Sequence, residues 1–412
     1  MTPSLVMTEL QQLSDGMADV IYLDHAATTP MCEQAVSWMS VGHSLYGNPS
    51  SMHWAGQATR DGLATARGEV AKLFGCPPTE IVFTSGGSEA INLALYGTFA
   101  ARGWRGHLVT SALEHSATLK CVETLRERGV TVTVVPPTPG GHVSVNAIAR
   151  ALRDDTVLVS IMHANNEIGT VQPVEDITEL AHSRGIAVHV DAVQTAGKMP
   201  IDHLAAELIS ISGHKFGGPK GVGALRLSPG HTVEPIIRGG SQENGRRAGT
   251  ENIVGIMGMG GAAAQARQRL ARTDFRRDIE ERRAVLLAGL SRIPDVSFNG
   301  TQPQMAETVS VSFAGVRGDA LADQLDALGI CVSTGSACHA GSADPSHVLA
   351  AIGLDIETAR STLRFSLSSS NLDTEMLRAA DATAVAVERL RALSCRQNPY
   401  DSEVFPSAGT TR

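Results

Sequence analysis

Lysine is scarce in this chain, with five residues in 412, at positions 72, 120, 198, 215 and 220. Acids outnumber bases 42 to 34, for a formal charge of −8, and the arginines are spread thinly. No basic stripe results of the kind that grips a nucleic acid backbone, so direct nucleic acid binding is not expected. The six cysteines, at 32, 76, 121, 331, 338 and 395, form no Cys-x-x-Cys pair and no metal-type spacing with histidine. A disulfide scaffold and a metal site are therefore not expected. No apolar run approaches the roughly eighteen residues of a membrane span. The first twenty residues carry neither Lys nor Arg nor an apolar leader core, which leads to the expectation of a cytoplasmic protein with no membrane association. In a reducing compartment most of these cysteines read as small buried hydrophobes, Cys121 and Cys331 among them. Cys338 differs, because it stands in a polar loop of small residues.

Hydrophobic residues make up 42% of the chain, enough for a large core and two domains. Short β-branched runs alternate with helix-length segments: Glu80-Ile-Val-Phe-Thr, His107-Leu-Val-Thr, Val130-Thr-Val-Thr-Val-Val, Thr156-Val-Leu-Val-Ser-Ile, Ile186-Ala-Val-His-Val-Asp and Leu208-Ile-Ser-Ile-Ser. That pattern predicts an α/β fold with a mostly parallel sheet flanked by helices. Several runs end in a polar residue, at Ser85, Glu114, Asn165, Asp191 and Ser212, and the carboxyl ends of such strands face one ligand crevice. From about residue 262 the texture changes to a single charged helix, Ala262 to Leu290, followed by strands at Thr308-Val-Ser-Val-Ser-Phe and Thr362-Leu-Arg-Phe-Ser-Leu and helices near 319–328 and 373–393. This predicts a smaller α+β domain after a helical connector.

Lys215 lies in Ser210-Ile-Ser-Gly-His-Lys-Phe-Gly-Gly-Pro-Lys220, just downstream of His189-Val-Asp-Ala-Val-Gln194. A lysine amine that can hold an aldehyde as a Schiff base, near an acid that can face a ring nitrogen, is what pyridoxal phosphate chemistry needs. The other lysines are weaker: Lys72 and Lys120 fall in helix-like stretches, Lys198 precedes a Met199-Pro200 turn, and Lys220 follows a proline in a glycine-rich loop. Asp191 ends a buried strand, where its carboxylate needs a cation, unless it simply caps the next helix. Gln194, one turn on, can reach a ring hydroxyl or stay solvated. Thr84-Ser-Gly-Gly87-Ser88 follows a strand and opens a helix, a phosphate cradle if it is more than a connecting turn. Ser212 and His214 can complete that cradle with side-chain donors. His115 follows another strand and can stack on a ring and shuttle protons, or serve as a structural hydrogen-bonder. Asn166 and Arg364 are candidates for a carboxylate clamp, although an arginine in an alternating strand commonly faces outward. Cys338, next to His339, suits a nucleophile and otherwise reads as a surface cysteine.

Taken in order, Tyr22-Leu-Asp-His-Ala-Ala-Thr-Thr-Pro30, Gly47-Asn-Pro-Ser-Ser51, Phe83-Thr-Ser-Gly-Gly-Ser-Glu89, Glu114-His115, His163-Ala-Asn-Asn-Glu-Ile-Gly169, His189-Val-Asp-Ala-Val-Gln194, Ser212-Gly-His-Lys215, Arg247-Ala-Gly-Thr250, Gly335-Ser-Ala-Cys338 and Arg364-Phe-Ser-Leu resemble the cysteine desulfurase family, within the class V aminotransferases of fold-type I. The resemblance implies a large cofactor domain over 28–265 and a small domain from both chain ends, 1–27 and 266–396, followed by a polar tail at 397–412. It further implies a homodimer with sites near the interface. Lys215 would be the Schiff-base lysine, Asp191 the partner of the pyridine nitrogen, Gln194 that of the ring oxygen, and His115 would stack on the ring. Gly87, Ser88, Ser212 and His214 would hold the phosphate, with Thr250 reaching that of the neighbouring subunit. Asn166 and Arg364 would grip the substrate carboxylate. Cys338 would take sulfur from L-cysteine as a persulfide, releasing L-alanine, and pass it to an acceptor protein. The loop around Cys338 resembles the long-loop group, while Cys338-His339 is also similar to selenocysteine lyases and to desulfurases of DNA phosphorothioation. Ser368-Ser369 stands where the family commonly has Gly-Arg, and His25 where it often has tyrosine. Selenocysteine lyase or another lyase or epimerase of this fold is the alternative reading, and an inactive binding partner is the alternative of another class.

Overall fold

A computed structural model describes residues 20–334 and 345–396. Strand β1 (Ile21–Tyr22) opens it. The large sheet contains β2 (Ile81–Thr84), β3 (His107–Ser111), β4 (Thr131–Val135), β5 (Thr156–Met162), β6 (Ala187–Asp191), β7 (Leu208–Ser212) and β8 (Gly223–Leu227), in the order β2-β8-β7-β6-β5-β3-β4. All neighbours are parallel except β8, which runs antiparallel to both β2 and β7. The fold expectation stands, with β8 as the strand that the βα pattern did not reveal. It returns directly from β7 through a turn whose only helical piece is the single 3-10 turn Gly213–Lys215.

Alternate residues of each strand serve different cores. Val109, Val159, Ile209 and Ala224 join one apolar cluster, while Leu108, Leu158, Leu208 and Leu225 join the other. A period of two with both faces apolar is what a sheet covered on each side requires. The chain runs outward from β3 to β4, then returns to place β5 on the other side of β3. At such a reversal the loops leaving the strand ends diverge and open a crevice.

A four-stranded antiparallel sheet, β12-β13-β10-β9, is formed by β9 (Val296–Phe298), β10 (Thr308–Phe313), β12 (Ser333–Thr334) and β13 (Thr362–Ser366), and β11 (Ile330–Cys331) pairs with β1. Ile21 and Leu23 pack with Leu286, Phe313 and Phe365, so the start of the described chain shares a core with its later part. Val348, Leu349 and Ile352 pack on the large-sheet cluster.

The expected single helix at 262–290 is two helices, Ile253–Leu270 and Phe275–Leu290. Thr273 and Asp274 are weak helix formers, and Arg272 closes on Asp274 at 3.0 Å across the break. The first helix begins nine residues earlier than expected, capped by the Asn252 side chain accepting from Gly255 N at 3.1 Å. Its glycines hid it from a propensity reading. They are there for close packing, because a Cβ on Gly260 would lie 2.8 Å from Ala66 and one on Gly261 2.6 Å from the Gln34 carbonyl. Cys331, expected to be buried, is only half-buried, because β11 is a short edge paired on one side by β1. Cys121 is buried as expected.

Candidate active site

A cavity of about 330 Å³ opens at the carboxyl ends of β5, β6 and β7, lined among others by Lys215, Asp191, Gln194, His115, Asn166 and Arg364. Gly87, Ser88, Ser212 and His214 line it as well. Of the strand-end residues expected to face it, Asp191 and Ser212 do. Ser85 is exposed, and Glu114 and Asn165 turn into the protein. At those strands the residues that follow, Ser88, His115 and Asn166, line the cavity instead.

The short turn from β7 to β8 carries Lys215. Its Nζ donates to the carbonyls of Ala26 at 2.6 Å and Ala27 at 2.8 Å, which aim the amine into the cavity. Asp191 closes β6 and accepts from Val193 N at 2.9 Å through Oδ1, a turn rather than a helix cap. Burial pushes its carboxyl up to about 6, against the Val193 N–H and the charge of Lys215. A carboxyl held there is largely ionised at neutral pH, and a further cation beside it would offset the cost of its burial. Glu114, behind His115, is pushed by burial to about 8 and keeps one oxygen with no partner, while the other accepts from Ser111 at 2.7 Å and Met162 N at 3.1 Å.

The helix Gly87–Ala101 starts at the cavity wall with no side-chain cap on its first turn. A Cβ on Gly87 would lie 2.8 Å from Val193 Cγ2 and 3.4 Å from Ser212 Cβ, so a side chain there would crowd the wall of the cavity at the helix start. His214 shares a 3.1 Å hydrogen bond between Nδ1 and Thr28 Oγ1, and burial followed by the charge of Lys215 depresses it to about 4. It is a neutral ring at physiological pH. His115 accepts from Ala117 N at 3.1 Å through Nδ1, so its neutral form carries the proton on Nε2.

Arg364 is 2% exposed, because β13 is central in its sheet and buried on both faces. It does not face outward. One guanidinium nitrogen meets Asp24 at 2.7 Å and the other the Asn166 carbonyl at 2.9 Å, while Nε is buried without an acceptor. An unpaired buried donor beside the cavity suits a carboxylate ligand.

Glu167 and His347 also line the cavity and were not singled out from the sequence. Glu167 is the residue after Asn166, and burial raises it to about 7 against a Ser346 hydroxyl that donates to it. His347 Nε2 lies 3.0 Å from the Glu114 carbonyl. Their signal was position, since Glu167 leaves the same strand end as Asn166, and Ser346-His347 starts a capped helix. Thr250 is exposed and does not line this cavity. Cys338 and His339 lie outside the described residues. An aimed amine, a carboxylate short of a cation and an uncapped helix start with room only for glycine together fit pyridoxal phosphate.

The profile of the aminotransferase class V family matches residues 21–378. A cysteine desulfurase IscS of Dictyoglomus turgidum is 42% identical over 388 residues, 93% of this chain and 97% of that protein. Its counterpart of the same name from Methanosarcina thermophila is 41% identical, over 91% of this chain and 93% of its own. A solved NifS-like protein superposes with a TM-score of 0.84 at 35% identity, covering 90% of this chain and all of the other. The chain belongs to the cysteine desulfurase family of the class V aminotransferases, which are pyridoxal phosphate-dependent enzymes.

Proposed function

We propose that the chain converts L-cysteine to L-alanine, with the sulfur held as a persulfide on Cys338 for delivery to an acceptor protein. The observation that carries this reading is the convergence of Lys215, Asp191, His115 and Arg364 on one cavity beside an uncapped helix start. Bound there, pyridoxal phosphate supplies an electron-withdrawing ring that makes the substrate Cα–H acidic.

The residues divide the remaining work. Gly87, Ser88, Ser212 and His214 hold the phosphate, with the neutral His214 acting as a hydrogen-bond partner rather than a counter-charge. Asp191 faces the ring nitrogen, whose positive charge supplies the cation its burial demands. Gln194 meets the ring oxygen and His115 covers the ring face. Arg364, oriented by Asp24 and the Asn166 carbonyl, grips the substrate carboxylate with its free donors. Lys215 holds the cofactor and then moves the proton at Cα. The Cys338 thiolate forms a bond to the substrate sulfur as the Cβ–S bond breaks; the electron pair stays on carbon, which takes a proton to become the methyl of alanine. Sulfur is oxidised and carbon reduced, so no outside redox reagent is needed.

Met31, Val36, Val41, Tyr46, Met52 and Trp54 are exposed between residues 31 and 54, Tyr46, Met52 and Trp54 by 77–89%. So much exposed apolar surface in one segment supports a homodimer, and Thr250 then reaches the phosphate of the neighbouring subunit. Among the described residues no helix is long and apolar enough to cross a membrane. A cytoplasmic location, where thiols stay reduced, suits a persulfide carrier.

Purified protein is expected to be yellow and to form alanine from L-cysteine in the presence of a thiol acceptor. Cys338→Ser should keep the colour and lose the persulfide. If this variant delivered sulfur at the wild-type rate, the nucleophile would be another group.

A further inference from the structure

Lys198 reads as a turn lysine in the sequence, yet in the fold it is half-buried. It borders a small cavity with Met199, Phe275, Ile279, Met305 and Glu307. Its Nζ donates to Gln194 Oε1 at 3.4 Å, while Gln194 Nε2 donates to the Ala26 carbonyl at 3.0 Å. An ammonium only donates and a carbonyl only accepts, so these two partners read the amide with opposite polarity and together oppose its end-over-end flip. One Nε2–H is taken by Ala26, and the other is left for the cavity that Gln194 lines. Ala26 is also the residue whose carbonyl holds the Lys215 amine, so the same carbonyl ties both groups to one point.

Burial pulls the Lys198 amine down to about 8, opposed by the charge of Glu307 and reinforced by Arg269 and Arg364. Glu307 is itself raised by burial and opposed by Lys198. The lysine stays largely protonated near neutral pH and keeps its donors. Placing a cation in such a setting costs stability unless something is gained by its direction.

We propose that Lys198 is a positioning residue for the cofactor, locking the Gln194 amide so that a donor rather than an acceptor meets the ring oxygen of pyridoxal phosphate. The inference rests on the reading that Gln194 meets that oxygen. A donor there draws charge from the ring oxygen, and less charge remains to hold the proton of the lysine–cofactor linkage.

The test is a double-mutant cycle on the holoenzyme in a Glu307→Gln background, so that no acid is left without its counter-charge. Lys198→Met, Gln194→Ala and their combination are compared with that background by pH titration of the visible absorbance without substrate, and by the rate of cofactor loss on dialysis. Each single change is expected to move the titration midpoint to higher pH by about half a unit and to speed cofactor loss about threefold. The combination should do no more than Gln194→Ala alone. Absence of a shift in Gln194→Ala would overturn the reading that this amide meets the ring oxygen. A shift in Gln194→Ala with none in Lys198→Met, or additive shifts in the combination, would leave that reading intact and sink the role of Lys198. If the methionine variant is insoluble, Lys198→Gln replaces it in the same cycle with the same expectations.

Discussion

Two acids behind the cavity show how burial sets charge at single residues. Burial is the first effect on both; Asp191 has the Val193 N–H and the charge of Lys215 against it, whereas Glu114 has the Ser111 hydroxyl and the Met162 N–H against it but the Asp191 charge adding to it. At neutral pH Glu114 therefore holds its proton, and Asp191 is the acid that can ionise under a cationic ring. A folded-state value raised to about 8 from 4.5 means that the native protein keeps a proton the unfolded chain has lost. The stability Glu114 contributes is thus complete below about 4.5, declines through the window up to about 8, and is flat above it. Glu114→Gln should match the parent at pH 5 and be more heat-stable at pH 8, by on the order of 5 °C. Thermal melts at both pH values check this, and an equal difference at both would show that Glu114 is not held neutral. Arg364→Lys removes the fork but keeps a charge for Asp24. It should raise KM for L-cysteine at least about tenfold with the cofactor retained, as initial rates and absorbance will show.

At the scale of elements, the helix Ile253–Leu270 is decided by what crosses it. Its glycines lower intrinsic helicity, but they let the helices Glu33–Ser44 and Trp54–Phe74 approach along its length. Gly261→Ala gains helix propensity yet drives a methyl to within 2.6 Å of the Gln34 carbonyl, so it should destabilise by about 2 kcal/mol. Gly68 offers the contrast, since a Cβ there meets nothing within 4 Å in the middle of the helix Trp54–Phe74. Gly68→Ala should stabilise by about 0.5–1 kcal/mol. Urea unfolding of the two variants tests the pair, and the same sign for both would contradict the packing account. Such contacts are long-range, which is why helix propensity placed the start of this helix nine residues late while the β-branched runs marked β2 to β7 at nearly their true bounds.

For the whole molecule, the exposed apolar segment from Met31 to Trp54 and the exposed Thr250 belong to one expectation. Trp54→Glu with Met52→Glu should shift the protein toward monomer in sedimentation and speed cofactor loss, since in the proposed dimer each phosphate would then lack the partner's Thr250; a variant that sediments as the parent does would place the contact elsewhere. The fold class was legible because strand and helix periods are local and each apolar run reports its own burial. Lys215, Asp191 and Ser88 were legible because they sit at strand ends or helix starts, where a parallel sheet exposes its ligand side. The side chains of Arg364 and Lys198 were not. A strand arginine and a turn lysine look solvated until β12 and β10 close over one and Phe275 and Glu307 over the other. Glu167 stayed hidden for the same reason, as burial raises its proton affinity against a hydroxyl donated by Ser346, far along the chain. By itself the sequence determined strands β2 to β7, the order of their chemistry and the choice of cofactor, all of which depend on short-range pattern and residue type. Only the tertiary structure decided which polar groups lose water and which partner each one faces, because desolvation and hydrogen-bond direction arise when distant segments meet.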